Sequence, residues 1–149
     1  MIKIVSGGQT GVDRAALDVA LDLSLPCGGW CPKGRRAEDG PIPERYPLQE
    51  TPTDAYPERT EWNVRDSDAT LILTRGKPDR GTALTVKLAR RLKKPCRIVD
   101  LATPDAAESI RAWLMSHHVG TLNVAGPRES SQPGIHQEAE SFLRSVLAR

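Results

Sequence analysis

The residues best suited to bind a ligand follow the first β-branched run of this chain, near the N-terminus. That run breaks into glycines and small polar residues and then into a segment of helical period. Glycines leave no Cβ in the way of a ligand, so the N–H groups of such a turn and the positive end of the next helix can converge on an anion. The loop therefore predicts a phosphate site with these candidate contacts: Gly7, Gly8, Gln9, Thr10 and Gly11.

The same loop departs from the two common phosphate-binding patterns. Neither Lys-Ser nor Lys-Thr follows Gly11, which excludes a P-loop, and Ser6 stands where the dinucleotide pattern requires glycine. An acidic residue that would bind a ribose about twenty residues later is also missing. Ordinary NAD binding is therefore disfavoured, and the alternative is that the glycines only let strand and helix pack closely.

Two further loops follow β-rich runs and carry glycine with small polar residues. Gly81 and Thr82 open a predicted helix whose N-terminus suits a second phosphate, and Arg128 is a candidate bidentate clamp beside Gly126 and Ser130. Parallel α/β sheets collect their ligands at the carboxyl ends of the strands. We therefore expect one small, elongated, phosphate-bearing ligand at this edge of the sheet.

A proline-rich segment at residues 31–58 interrupts the periodic pattern. Lys33 and Arg35 supply donors for an anionic ligand, although a solvated charge cluster is the alternative. The length of the segment is typical of a lid, a binding segment or a subunit contact, with a loosely tethered surface loop as the other interpretation. Thr60 and Asn63, on a short helix before Ser67, can reach the same edge of the sheet. The alternative is that their side chains only cap a helix.

Strands and helices alternate along most of the chain. Apolar β-rich runs at residues 2–5, 69–74, 97–101 and 120–125 are each followed by helical segments, at residues 12–23, 82–92, 104–117 and 137–148. Pro104 suits the first helical turn after Thr103 as N-cap. This order predicts an α/β fold: one Rossmann-like, three-layer domain over residues 1–149, with a mainly parallel sheet of about five strands.

Composition excludes several functional classes. The 149 residues carry a formal net charge of +2 and only 4% aromatic residues, which disfavours a nucleic-acid surface. We expect no membrane span and a cytoplasmic protein, because apolar runs are short and the chain begins directly with a strand. Three cysteines (Cys27, Cys31 and Cys96) favour free thiols, and neither their spacing nor His117-His118 supplies a zinc site, so no metal ligands are predicted.

The motifs at residues 6–14, 28–40 and 59–68, with those at residues 81–85 and 123–130, resemble the molybdenum carrier family. This family is placed in the circularly permuted branch of the SLOG superfamily of Rossmann-like nucleotide-binding domains. The resemblance covers nearly the whole chain. It implies a homo-oligomer, a dimer or tetramer, that binds and protects molybdenum cofactor as cargo, with molybdoenzymes or cofactor-synthesis proteins as partners. Trp30 is a candidate wall for the flat pterin ring of that cofactor.

Two other functions stay open. Related phosphoribohydrolases cleave the base from nucleoside monophosphates, but their catalytic glutamate is replaced here by Thr85, which cannot act as a carboxylate. Glu129 is a possible substitute, whereas the three histidines give no recognisable triad. The other alternative is a nucleotide-sensing domain, because the glycine loops would bind a nucleotide and molybdenum cofactor in the same way. We therefore predict a carrier without catalytic residues.

Overall fold

The structure is a computed structural model that describes residues 1–103 and 106–148. In chain order its elements are β1 (Lys3–Val5), α1 (Val12–Asp22), β2 (Cys27–Gly28), β3 (Trp30–Cys31), β4 (Arg36–Ala37), β5 (Gly40–Pro41), β6 (Gln49–Glu50), α2 (Tyr56–Arg65), β7 (Ala69–Thr74), α3 (Arg80–Arg91), β8 (Cys96–Asp100), α4 (Ala106–Ser116), β9 (Thr121–Ala125) and α5 (Ile135–Leu147).

Five of the strands form one parallel sheet in the order β2-β1-β9-β7-β8. The chain moves from β1 to β2 in one direction across this sheet and from β7 to β8 in the other. Their crossover helices, α1 and α3, accordingly lie on opposite faces. The prediction of a Rossmann-like α/β fold with about five parallel strands is confirmed.

The core is concentrated on the face covered by α1, α4 and α5. Strand β7 shows why, because all six of its residues are buried and its side chains alternate between the two faces. Leu71 and Leu73 point into the apolar cluster formed with those three helices. Ile72 points to the other face, where it lines a cavity beneath α2 and α3. One face of the sheet therefore supplies most of the apolar packing, and the other leaves room for a ligand.

Helix α3 begins two residues earlier than expected, at Arg80. Asp79 precedes it as the N-cap, and its carboxylate accepts a hydrogen bond of 2.9 Å from the Thr82 N–H group. Helix α4 is found within the predicted range, although the expected capping by Thr103 and Pro104 falls partly on residues outside those described.

The segment at residues 31–58 has more regular structure than the sequence predicted. It contains β4 and β5 as a small antiparallel pair, β6 paired with β3, and the start of α2 at Tyr56. Strands of two residues are too short to produce a recognisable hydrophobic period, which is why the sequence pattern did not reveal them. The fifth strand of the main sheet, β2, is missed by the sequence pattern for the same reason.

Within the described residues, no helix is both long enough and apolar enough to cross a membrane.

Candidate ligand-binding site

A cavity of about 240 Å³ lies between the sheet, α2 and α3, and it is partly open to solvent. It is bordered by the loops that follow β1 and β9, as expected for a site at the carboxyl ends of parallel strands. Eight of the predicted site residues line it: Gly7, Gln9, Thr60, Asn63, Gly81, Thr82, Gly126 and Arg128. The cavity therefore lies at the edge of the sheet where the sequence predicts a ligand.

The inner end of the cavity carries a buried carboxylate that sequence reasoning missed. Asp13 Oδ2 accepts hydrogen bonds from the Gln9 N–H group and from Arg59 Nη1, both at 3.3 Å. The side chains of Asp13 and Arg59 are only 8% and 14% exposed. Burial raises the pKa of Asp13 to about 6, and the nearby Arg59 guanidinium opposes part of that rise. A pKa so displaced in a cavity marks Asp13 as a functional candidate.

Arg59 is held in place by α2 and by aromatic contact. Its guanidinium carbon lies 5.4 Å from the ring centre of Tyr56, one helical turn earlier, and Tyr56 also lines the cavity. Arg59 is the first residue of the motif at residues 59–68 that carried the family resemblance, and Tyr56 lies three residues before that motif. The signal for Arg59 was therefore present in the sequence, but its partner Asp13 is 46 residues away.

The exposed part of the cavity lining includes the N-terminus of α3 and Arg128. Gly81 and Arg128 are exposed, and both line the cavity. The Thr82 N–H group donates to the Asp79 cap, so this helix end already has one of its free donors satisfied. Arg128 supplies the cation that a phosphate at this end requires.

Most N–H groups of the loop at residues 7–11 point toward protein groups. Gly8 donates to Ser6 Oγ at 3.4 Å, Gln9 donates to Asp13, and Thr10 donates to the Gln9 side-chain oxygen at 3.0 Å. The structure therefore places a carboxylate and satisfied donors where the sequence suggested an open phosphate cradle. The exposed groups of the cavity lining that suit an anion are Arg128 and the start of α3.

Two glycines of that loop have a packing role. Gly8 has a φ of +79°, and a Cβ there would stand 2.5 Å from Leu48 Cδ1 rather than in the cavity. Gly11 has a φ of +80°, and its Cβ would stand 2.3 Å from the Pro127 carbonyl oxygen. Both positions favour glycine because of the backbone conformation and the close contact. Neither residue lines the cavity, as the packing alternative predicted.

A carboxylate from the segment at residues 31–58 binds the remaining loop residues. Glu38 accepts hydrogen bonds from the Thr10 hydroxyl, from the Ser130 N–H group at 3.1 Å and from the Ser130 hydroxyl at 2.5 Å. These bonds lower the pKa of Glu38, with the Ser130 hydroxyl contributing most. Thr10 and Ser130 therefore hold the β4–β5 hairpin against the rim and do not line the cavity.

The two predicted cations of the same segment lie outside the cavity. Lys33 is exposed. The Arg35 guanidinium donates to four carbonyl oxygens within its own segment, those of Ile42, Pro43, Tyr46 and Leu48, at 2.8 to 3.2 Å. Arg35 thus organises the fold of the segment, and its donors are used before a ligand arrives.

Asn63 and Thr60 line the cavity from α2, but their polar groups bind protein. The Asn63 side chain accepts from the Trp30 N–H group at 2.7 Å and donates to the Trp30 carbonyl at 2.9 Å, which fixes α2 to β3. Thr60 donates to the Tyr56 carbonyl. Trp30 itself packs edge-to-face on Trp62, with ring centres 4.7 Å apart, and does not line the cavity.

The two residues considered for hydrolysis, Thr85 and Glu129, both form hydrogen bonds within the protein. Thr85 lines the cavity, and its hydroxyl donates to the Gly81 carbonyl at 2.9 Å. Glu129 accepts from the N–H groups of Gly134 at 2.6 Å and His136 at 3.0 Å, at the start of α5. Its carboxylate therefore caps a helix.

One cluster with metal-binding residue types lies elsewhere, between α1 and α5. Asp18, His136 and Glu140 place ligand atoms within 4.8 Å of one another. They already bind each other, since His136 Nε2 lies 2.8 Å from Asp18, and the Tyr46 hydroxyl donates to Asp18 at 2.6 Å. This hydrogen-bond network fixes the segment at residues 31–58 to both helices. The cysteines are free, and burial raises the pKa of each thiol.

With this geometry established, two similarities to known proteins stand out. A model of the Circularly permutated YpsA SLOG family matches residues 4–147. The chain is also 52% identical to a protein of known crystal structure from Syntrophus aciditrophicus SB, named Putative molybdenum carrier protein. That similarity has a TM-score of 0.97 and covers 99% of this chain and 96% of the other. No curated protein matches the chain.

Proposed function

Because the chain belongs to the Circularly permutated YpsA SLOG family, as its motifs indicated, we propose that it binds, stores and protects molybdenum cofactor without altering it chemically. The observation that carries this proposal is the 52% identity, over nearly the whole chain, to a protein named as a molybdenum carrier. At such identity the residues around the cavity have the same backbone framework in both proteins. The cofactor is cargo here, and the cavity is its proposed binding site.

The chemistry of the cavity fits such a cargo. Molybdenum cofactor combines a flat pterin, an oxyanionic metal held by a dithiolene, and a terminal phosphate. The cavity offers a buried acceptor at Asp13 for the donors of a ring, and a cation at Arg128 with the N-terminus of α3 for an anion. A volume of about 240 Å³ suits one end of the ligand, with the remainder at the open rim.

We propose that the segment at residues 31–58 protects the ligand, since Tyr56 and Pro57 at its end line the cavity. Glu38 and Asp39 fix its hairpin to neighbouring loops and to α1, the latter through an ion pair of 2.5 Å with Arg14. A segment held in this position would limit the access of water and oxygen to a sensitive cofactor. On the family resemblance we also propose that the chain forms a homo-oligomer, which light scattering tests. We further propose that it delivers the cofactor to molybdoenzymes or receives it from cofactor-synthesis proteins.

The test is an anaerobic titration with released molybdenum cofactor, followed by the melting temperature. Binding to the folded state alone stabilises it by RT ln(1 + [L]/Kd), so the melting temperature should rise steadily with cofactor concentration. The Arg128→Ala variant should show a smaller rise, and Lys33→Ala, an exposed cation outside the cavity, should behave as the parent. A melting temperature that does not respond to saturating cofactor would contradict the proposal.

A further inference from the structure

The carboxylate at the inner end of the cavity has acceptor capacity that the protein does not use. An ionised carboxylate offers about four acceptor sites, two on each oxygen. Asp13 Oδ2 accepts from Gln9 and Arg59, and no group among residues 1–103 and 106–148 donates to Oδ1. Asp13 lines the cavity, so a ligand in the cavity can supply the missing donors.

Asp13 Oδ1 is not one of the fully buried side-chain atoms that lack a partner, so it is accessible from the cavity. A buried charge requires pairing and hydrogen bonds to offset its lost hydration, and Arg59 supplies only part of that compensation, at the long distance of 3.3 Å. A ligand that presents adjacent N–H donors would complete the set. A ligand that presents an acceptor would meet electrostatic repulsion instead.

The charges along the cavity fix the direction in which such a ligand lies. At the inner end, Arg59 is already paired with Asp13, and a phosphate there would face a buried carboxylate. By contrast, Arg128 and Gly81 at the start of α3 are exposed parts of the same lining. A phosphate-bearing ligand therefore enters with its ring first and leaves its phosphate at the rim.

On the basis of the proposed carrier function, we propose that Asp13 recognises the 2-amino-4-oxopyrimidine edge of the pterin. This edge presents a ring N–H and an exocyclic amino group side by side, a parallel pair that fits the two oxygens of a carboxylate, so that one group would donate to the free Oδ1 and the other to Oδ2 beside it. The structure assigns the site to ligands with this edge, a chemical class that includes pterins and guanine nucleotides. Lumazines and xanthine, which carry an oxygen in place of the 2-amino group, are excluded.

The surroundings of Asp13 also predict how an amide would behave there. Gln9 and Arg59 both donate, so they would hold the oxygen of an asparagine and turn its NH₂ group toward the cavity. The Asp13→Asn variant would thus offer a donor where the parent offers an acceptor. Its preference should shift from the 2-amino ring to the 2-oxo ring.

The experiment compares a pterin and a lumazine that carry the same phosphate-bearing side chain, each titrated calorimetrically at neutral pH. The parent should bind the pterin at least about tenfold more tightly, as expected when a site with fixed polar groups meets the wrong partner. Asp13→Asn should abolish or reverse that ratio. Asp22→Asn, an exposed residue at the end of the same helix and outside the cavity, should keep it.

The outcomes separate the two proposals. Equal affinities of the parent for pterin and lumazine, within about twofold, would overturn the role of Asp13 while leaving a carrier function intact. A pterin preference that is unchanged in a folded Asp13→Asn variant would also overturn the role of Asp13. If the parent binds neither compound nor released molybdenum cofactor, both proposals fail. The parent's ratio is decisive even if Asp13→Asn does not fold.

Discussion

The Arg59 guanidinium occupies the space in which a side chain of Gly7 would lie. A Cβ built on Gly7 would stand 2.0 Å from Arg59 Nη1 and 2.9 Å from its Cδ. Arg59 lies across the β1–α1 connection because it pairs with Asp13 at the start of α1. The glycine is therefore required for an ion pair at the inner end of the cavity, and the ion pair joins α1 to α2.

The first prediction concerns this contact. Gly7→Ala should displace Arg59, leave the buried Asp13 without its cation, and lower the free energy of unfolding by about 1–3 kcal/mol. Chemical denaturation measures the loss. Gly81→Ala is the matched control, because its Cβ would meet only Asp79 Oδ1 at 3.5 Å and should cost little. Equal stability of the two variants would contradict this role of Gly7.

The second prediction concerns pH. The pKa of Asp13 is about 6 in the folded state and near its ordinary 3.8 when unfolded, so the folded state binds its proton more tightly. Its contribution to stability is therefore present at low pH and lost as pH rises through about 6. Neighbouring cations are Arg59 on α2 and Arg14 on α1.

Measured against Asp13→Asn, which has no carboxyl group to titrate, the parent should lose about 2 kcal/mol between about pH 4.5 and about pH 7. Denaturant titrations of both proteins at a series of pH values give this difference. A difference that is constant across the range would show that Asp13 does not have a raised pKa.

The third prediction concerns the β4–β5 hairpin, which we propose helps to retain the ligand. Glu38→Gln removes the charge that holds Thr10 and Ser130, so the β4–β5 hairpin should open more often and bound ligand should dissociate several-fold faster. Stopped-flow displacement measures the rate. Glu44→Gln, an exposed residue of the same segment, is the control. The same dissociation rate in both variants would mean that the hairpin does not retain the ligand.

The fourth prediction is that the protein does not hydrolyse nucleoside monophosphates. Thr85 cannot provide a carboxylate, and Glu129 is bound to the first N–H groups of α5. Incubation with a panel of nucleoside monophosphates should release free base only at the background rate, as followed by chromatography. Turnover that disappears in Glu129→Gln, with the variant still folded, would make this chain an enzyme.

The fold could be predicted because its longer strands and helices repeat in order. Gly81, Thr82 and Arg128 line one cavity, as expected from the sequence, since the carboxyl ends of parallel strands must meet at one edge of the sheet. Asp13 and Arg59 were missed because their importance arises from a contact between distant segments. A carboxylate in the first turn of a helix looks like an ordinary capping residue in sequence.

Arg35 illustrates the opposite error. A cation beside glycines looks the same in sequence whether it binds a ligand or the carbonyl oxygens of its own segment. Only the folded path of residues 31–50 shows that its donors are satisfied internally. The glycines had the same ambiguity, because Gly8 and Gly11 serve backbone conformation and packing while Gly7 makes room for Arg59.

The central claim is that this chain carries molybdenum cofactor. The most direct measurement is native mass spectrometry of the protein, purified without oxygen from cells that produce the cofactor, with the molybdenum and pterin contents determined on the same sample. We expect one cofactor bound per chain, with molybdenum and pterin in equal amounts and dissociating together. Protein that carries neither, or that carries only a nucleotide without a pterin, would show that this chain is not a carrier of molybdenum cofactor.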